Sequence, residues 1–125
     1  MRTHETILLV EDEASVRKTI RSLLERRGYQ VVVATNGIEA LDLWPTHSGK
    51  VALVLTDLVM PGGMTGYELA RQLQSGQPNL KTIYLSGYSA EIAGRRIELR
   101  PGEIFIQKPC AAAQLLEAIR GSLVG

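Results

Sequence analysis

Residues 53–66 read LVLTDLVMPGGMTG. Apolar and β-branched positions deliver one carboxylate, Asp57, and the chain then breaks into proline and glycines. An unbroken run of Val, Leu and Ile, where a half-exposed strand would alternate, is what a strand covered on both faces requires, and that is the condition of a parallel sheet flanked by helices. A carboxylate at the end of such a strand is costly unless something pairs with it. The fold and the purpose of Asp57 are therefore one question.

Working outward, runs of the same kind recur at ILLV (7–10), QVVVA (30–34), VALVLT (51–56), TIYLS (82–86) and EIFIQ (103–107). Segments of helical period lie between them. Val16, Ile20, Leu23 and Leu24 make a stripe that Gly28 should stop. Asn36 is placed to cap a helix carrying Ile38, Leu41 and Trp44, which Pro45 should end. Thr65 is placed to cap one carrying Leu69, Ala70 and Leu73. After the fifth run, Ala112, Leu115, Leu116, Ile119 and Leu123 form the most regular stripe. The segment after the fourth run contains Gly94 and leads to Pro101-Gly102, so a short or mobile helix is expected there. Strands alternating with helices predict an α/β fold with right-handed crossovers. The expected architecture is a flavodoxin-like, doubly wound (βα)5 unit, with a five-stranded parallel sheet in the order 2-1-3-4-5 and helices on both faces.

A chain of 125 residues at 45% hydrophobic composition suits one domain over 1–125, with a core from about 6 to 123. With 14 basic residues against 13 acidic, no global field draws it to nucleic acid or anionic lipid. The single cysteine, Cys110, excludes an internal disulfide. No run approaches the ~20 apolar residues of a membrane span, and MRTHET does not begin a signal-peptide pattern. A soluble, cytoplasmic domain is expected.

Ligands of open α/β sheets sit beyond the carboxyl ends of the strands. The residues there are Glu11 and Asp12 after the first run, Asp57 after the third, Ser86 ending the fourth and Lys108 after the fifth. If the first and third strands are neighbours, three carboxylates converge and repel unless a cation is shared. Hard oxygen ligands in a small, open cluster suit Mg2+, or the similarly hard Mn2+, and leave room for a phosphate. An aspartate can act as a nucleophile toward phosphorus, with Lys108 contacting the phosphoryl oxygens and the Ser86 hydroxyl donating a hydrogen bond.

ILLVEDE, LVLTDLVMPGGMTGYEL, YLSGY and FIQKP, in this order and spacing, closely resemble the receiver domain of two-component response regulators, over residues 6 to 123. The resemblance implies that Asp57 is the phosphoacceptor, Glu11 and Asp12 the acidic pair, Ser86 the switch hydroxyl, Lys108 the family lysine and Phe105 the aromatic switch residue. It further implies metal ligation by Asp12, Asp57 and the main-chain carbonyl of Val59, with Glu11 acting through water, and a cis peptide bond between Lys108 and Pro109. The resemblance also implies that Val59 and Tyr88, two past the acceptor and two past the switch hydroxyl, help to set the phosphoryl lifetime. Neither supplies a water-activating group, so slow to moderate self-dephosphorylation is expected. The loop from Pro61 to Gly66 has one residue more than the usual family spacing, and Cys110 stands where Phe is frequent.

The implied function is a phosphorelay module. It takes a phosphoryl group from a partner phosphohistidine, on a histidine kinase or histidine phosphotransfer domain, and an inactive–active equilibrium shifts in response. No direct nucleic-acid or membrane contact is expected, and a weak homodimer is allowed. MPGGMTGYELA with YLSGYSAE is closest in style to receivers of hybrid sensor histidine kinases, in which case the domain would be tethered to a sensor. A stand-alone regulator and an N-terminal receiver separated from its output domain remain alternatives. The domain is not a conventional enzyme, since only self-phosphorylation and self-dephosphorylation are expected of it. An aspartate-nucleophile phosphohydrolase would want a second acid at Val59, and an FMN carrier would want phosphate donors where EDEAS presents carboxylates.

Overall fold

The computed structural model describes residues 5–60, 63–87, 91–92, 95–96 and 98–124. In chain order the elements are β1 (Thr6–Val10), α1 (Ala14–Arg26), β2 (Gln30–Ala34), α2 (Gly37–His47), β3 (Val51–Asp57), α3 (Gly66–Gly76), β4 (Lys81–Ser86), β5 (Glu91–Ile92), β6 (Arg95–Arg96), β7 (Glu103–Gln107) and α4 (Ala112–Val124). Five strands form one parallel sheet in the order β2-β1-β3-β4-β7, which is the expected 2-1-3-4-5 when the two short strands are set aside.

Alternation along each strand divides the core between the two faces of the sheet. Ile7, Leu9, Leu53, Leu55, Ile83, Leu85 and Ile106 point to one face, where Ile20 and Leu24 of α1 and Leu115 and Ile119 of α4 cover them. Leu8, Val10 and Val54 point to the other, under Ala40 of α2 and Leu69 and Leu73 of α3, and Val51 joins them across the irregularity in register at the start of β3. This is why the apolar runs are unbroken: each residue faces a helix layer on one side or the other.

Local signals account for the helix ends. After α1, Tyr29 N–H reaches the Leu24 carbonyl (3.3 Å) and Gly28 N–H that of Glu25 (3.1 Å), with Gly28 at φ 93°. That pairing closes a helix through a left-handed residue, which glycine adopts without strain. The Asn36 side chain accepts from Glu39 N–H at 2.8 Å. Thr65 and Glu68 form a reciprocal capping box, at 3.0 and 2.9 Å.

Two sequence expectations need correction. Pro45 lies inside α2 and does not end it. The proline gives up its own N–H bond, but Ser48 N–H still bonds to the Trp44 carbonyl at 2.8 Å, so the helix continues past it. The helix expected after the fourth run does not form among the described residues. Instead Glu91–Ile92 and Arg95–Arg96 pair as antiparallel strands, so among the described residues the doubly wound unit has four helices. Of the apolar residues that α2 carries, Ile38 is 55% exposed.

Candidate functional site

Register delivers the site. Val10 pairs with Thr56, so the β1–α1 loop with Glu11 and Asp12 opens beside Asp57. Asp57 pairs with Leu85 and Ser86 with Gln107, which places Ser86 and Lys108 just beyond the same edge. Backbone bonds hold these ends together: Leu58 N–H to the Leu85 carbonyl (2.8 Å) and Lys108 N–H to that of Ser86 (2.7 Å). The Lys108–Pro109 bond is cis, as the resemblance implied.

The structure brings Glu11, Asp12 and Asp57 together, with one carboxylate oxygen from each within 4.8 Å of the others. Asp57 is 5% exposed and Glu11 2%, whereas Asp12 is open to solvent. Lys108 Nζ lies 2.7 Å from Asp57 Oδ1 and 3.5 Å from Glu11 Oε1. The shorter contact is an ion pair, and among the described residues no further donor reaches Asp57 Oδ1. A buried carboxylate oxygen with spare acceptor capacity, beside two further carboxylates, fits a hard divalent cation.

Burial pushes the Glu11 carboxyl up to about 7, and the neighbouring Asp57 carboxylate pushes the same way, while the Glu13 N–H and Lys108 oppose. Glu13 N–H donates to Glu11 Oε2 at 3.0 Å. Desolvation works to lower the Lys108 pKa, but pairing with the Asp57 carboxylate, with Glu11 behind it, outweighs burial and raises it, so this lysine stays a cation.

Ser86 is buried at the end of β4. Phe105 is half-buried and packs on a small cluster of Leu58, Ala70 and Tyr84. The side chain of Val59 is 49% exposed beside the site. Tyr88 lies outside the described residues.

Three contributors escaped the sequence reading. Arg17 reaches back from α1, and its Nη1 donates to the Glu11 carbonyl at 2.8 Å, holding the acidic loop. The Thr56 hydroxyl donates to the Asp57 carbonyl at 2.9 Å. Gly66 N–H donates to the Leu58 carbonyl at 2.8 Å, and a Cβ on Gly66 would stand 2.0 Å from the Asp57 carbonyl oxygen. The glycine could have been suspected from its place in MPGGMTG; the other two are ordinary side chains until the fold places them.

Comparison with known proteins agrees with this geometry. Residues 7–120 match the response regulator receiver domain, and the chain belongs to that family. It is 37% identical over 118 residues to the sensor kinase CckA of Brucella abortus (strain 2308), covering 94% of this chain and 12% of that protein. It is 31% identical to the response regulator receiver protein CpdR of the same organism, covering 94% of this chain and 96% of CpdR. Among solved structures, it superposes on the response regulator TrrA of Thermotoga maritima in complex with Mg2+–BeF, with a TM-score of 0.77 and 27% identity over 95% of this chain and 99% of that one. The chain is a receiver domain of two-component signalling.

Proposed function

We infer that Asp57 accepts a phosphoryl group from a partner phosphohistidine on a histidine kinase or histidine phosphotransfer domain. The observation that carries this reading is the convergence of Asp57, Asp12, Glu11 and Lys108 at one sheet edge, with the Lys108 ammonium 2.7 Å from the buried Asp57 Oδ1. An Asp57 carboxylate oxygen forms the new bond to phosphorus while the bond from phosphorus to the histidine nitrogen breaks, and the imidazole leaves.

Asp12, Asp57 and the main-chain carbonyl of Val59 would hold Mg2+ or Mn2+, with Glu11 acting through water. When bound, the cation supplies neutralisation of negative charge on the phosphoryl oxygens. Lys108 carries a fixed positive charge to the same oxygens from the other side. Arg17 and the Glu13 N–H hold the acidic loop, and Thr56 holds the Asp57 backbone. Ser86 donates its hydroxyl to the phosphoryl group, and Phe105, on the Leu58–Tyr84 cluster, follows the change in packing.

The domain works as the receiver of a longer sensor kinase, a reading supported by the similarity to CckA. A stand-alone regulator is the second reading, favoured by the match to nearly the whole of CpdR. The size of the native protein on an immunoblot separates them. Incubation with Mg2+ and acetyl phosphate tests the phosphoacceptor assignment by intact mass. The wild type gains one phosphoryl group and Asp57→Asn gains none; an equal gain in both overturns the assignment.

A further inference from the structure

The Glu103 carboxylate at the start of β7 is enclosed and collects donors from several directions. Arg71 of α3 grips it with both Nη atoms, at 2.7 and 2.9 Å. Gln74 Nε2 and the Arg100 backbone N–H each add a bond at 2.8 Å. The Tyr84 hydroxyl of β4 adds another at 3.2 Å, the longest of the set. The same helix holds the chain that leads into β7: Arg71 Nη2 and the Tyr67 hydroxyl both donate to the Glu98 carbonyl, at 3.3 and 3.1 Å. The guanidinium carbon lies 4.3 Å from the Tyr67 ring centre. Residues 98–102 are thus strapped across α3 by side chains, in the stretch where a helix was expected.

Tyr84 links this strap to the site. Its ring is fully buried with Leu58, the residue after Asp57, and it pairs in register with Phe105. Ser86 stands two residues further along β4, on the same side of the strand. Resting on Asp57 as phosphoacceptor, we propose that Tyr84 is a positioning residue that couples Asp57 to the strap at 98–102 through its bond to Glu103. A phosphoryl group on Asp57 draws Ser86 and the end of β4 toward itself. The Tyr84–Glu103 contact, already the longest, is lost first, while Arg71 keeps the carboxylate paired. The strap then loosens although the fold is kept.

Hydrogen exchange read by mass spectrometry over residues 98–107, on the whole chain with and without Mg2+ and acetyl phosphate, tests this, with intact mass measured on the same samples. In the wild type, exchange at 98–103 should be at least about threefold faster when Asp57 is modified. Tyr84→Phe, which deletes only the hydroxyl, should exchange at the faster rate without the phosphodonor and show no further increase. A double variant, Arg71→Met with Glu103→Gln, removes both charges together and should lose the response likewise. Full modification of Asp57 with unchanged exchange at 98–103 overturns the coupling and leaves the phosphoacceptor reading intact. So does a wild-type response in Tyr84→Phe. Absence of any mass gain in the wild type overturns the phosphoacceptor reading itself.

Discussion

Replacing Gly66 by alanine adds one methyl group where the β3–α3 loop closes onto the phosphoacceptor strand. The new Cβ would lie 2.0 Å from the Asp57 carbonyl oxygen, 3.0 Å from its carbonyl carbon and 3.1 Å from Thr56 Cγ2. Two of those atoms are backbone in the middle of the sheet, so no rotamer change relieves the clash. Overpacking of this kind costs about 1–3 kcal/mol, and a rigid partner argues for the upper end. The Gly66 N–H bond to the Leu58 carbonyl, 2.8 Å, would lengthen or break at a further cost of about 1 kcal/mol. Alanine's better helix propensity returns about 1 kcal/mol at most. The net is a loss of about 2–3 kcal/mol, or a fall in Tm of about 8–12 °C for a domain of this size. Relief has to come by moving the Asp57 carbonyl or the start of α3, so phosphorylation by acetyl phosphate should slow as well, since a small misplacement of a reacting group is enough to lose rate. Thermal unfolding by circular dichroism and the rate of mass gain measure the two effects. A Gly66→Ala protein that melts within about 2 °C of the wild type and phosphorylates at the same rate would refute the close-approach argument.

Thr65→Ala removes the side-chain half of the capping box and should cost about 1 kcal/mol in urea unfolding, with Thr65→Ser restoring most of it. Glu103 makes a pH-dependent contribution: burial alone would raise its pKa, but the Arg71 hydrogen bond, the Arg100 N–H and Gln74 outweigh burial and hold it below the usual carboxylate value. The folded pKa lies below the unfolded one, so this stability is present above the unfolded pKa and is lost as pH falls through the folded pKa. The urea midpoint of Glu103→Gln should therefore lie well below that of the wild type near neutrality, and the gap should narrow on acidification from about pH 6 to pH 3. A gap that stays constant would show that Glu103 titrates alike in both states.

Much of the site was legible because its residues sit next to self-announcing strands. Asp57, Asp12 and Lys108 each follow an apolar run, and runs longer than chance are a local pattern that needs no knowledge of the fold. Asn36 and Thr65 were legible as caps for the same reason, because capping is settled within three or four residues. Glu11 was legible only as an acid after the first run: that its side chain would be nearly sealed, 3.5 Å from Lys108 Nζ, depended on the fold. Pro45 misled because a proline removes its own N–H bond but not those of the residues after it: Ser48 N–H still reaches the Trp44 carbonyl and the helix runs on to His47.

The sequence by itself determined the five strands of the parallel sheet, the starts of α2 and α3 and the residue types at the strand ends, since periodicity and capping are properties of neighbours along the chain. Only the tertiary structure decided that Glu103, 32 residues from Arg71, becomes an enclosed carboxylate clasped by α3 and β4. The same holds for the antiparallel pair at 91–96 and for the contact that requires glycine at position 66. These depend on burial and approach between segments that are remote in sequence, and a charged or polar residue carries no local mark of being buried until a partner from elsewhere in the chain makes burial affordable.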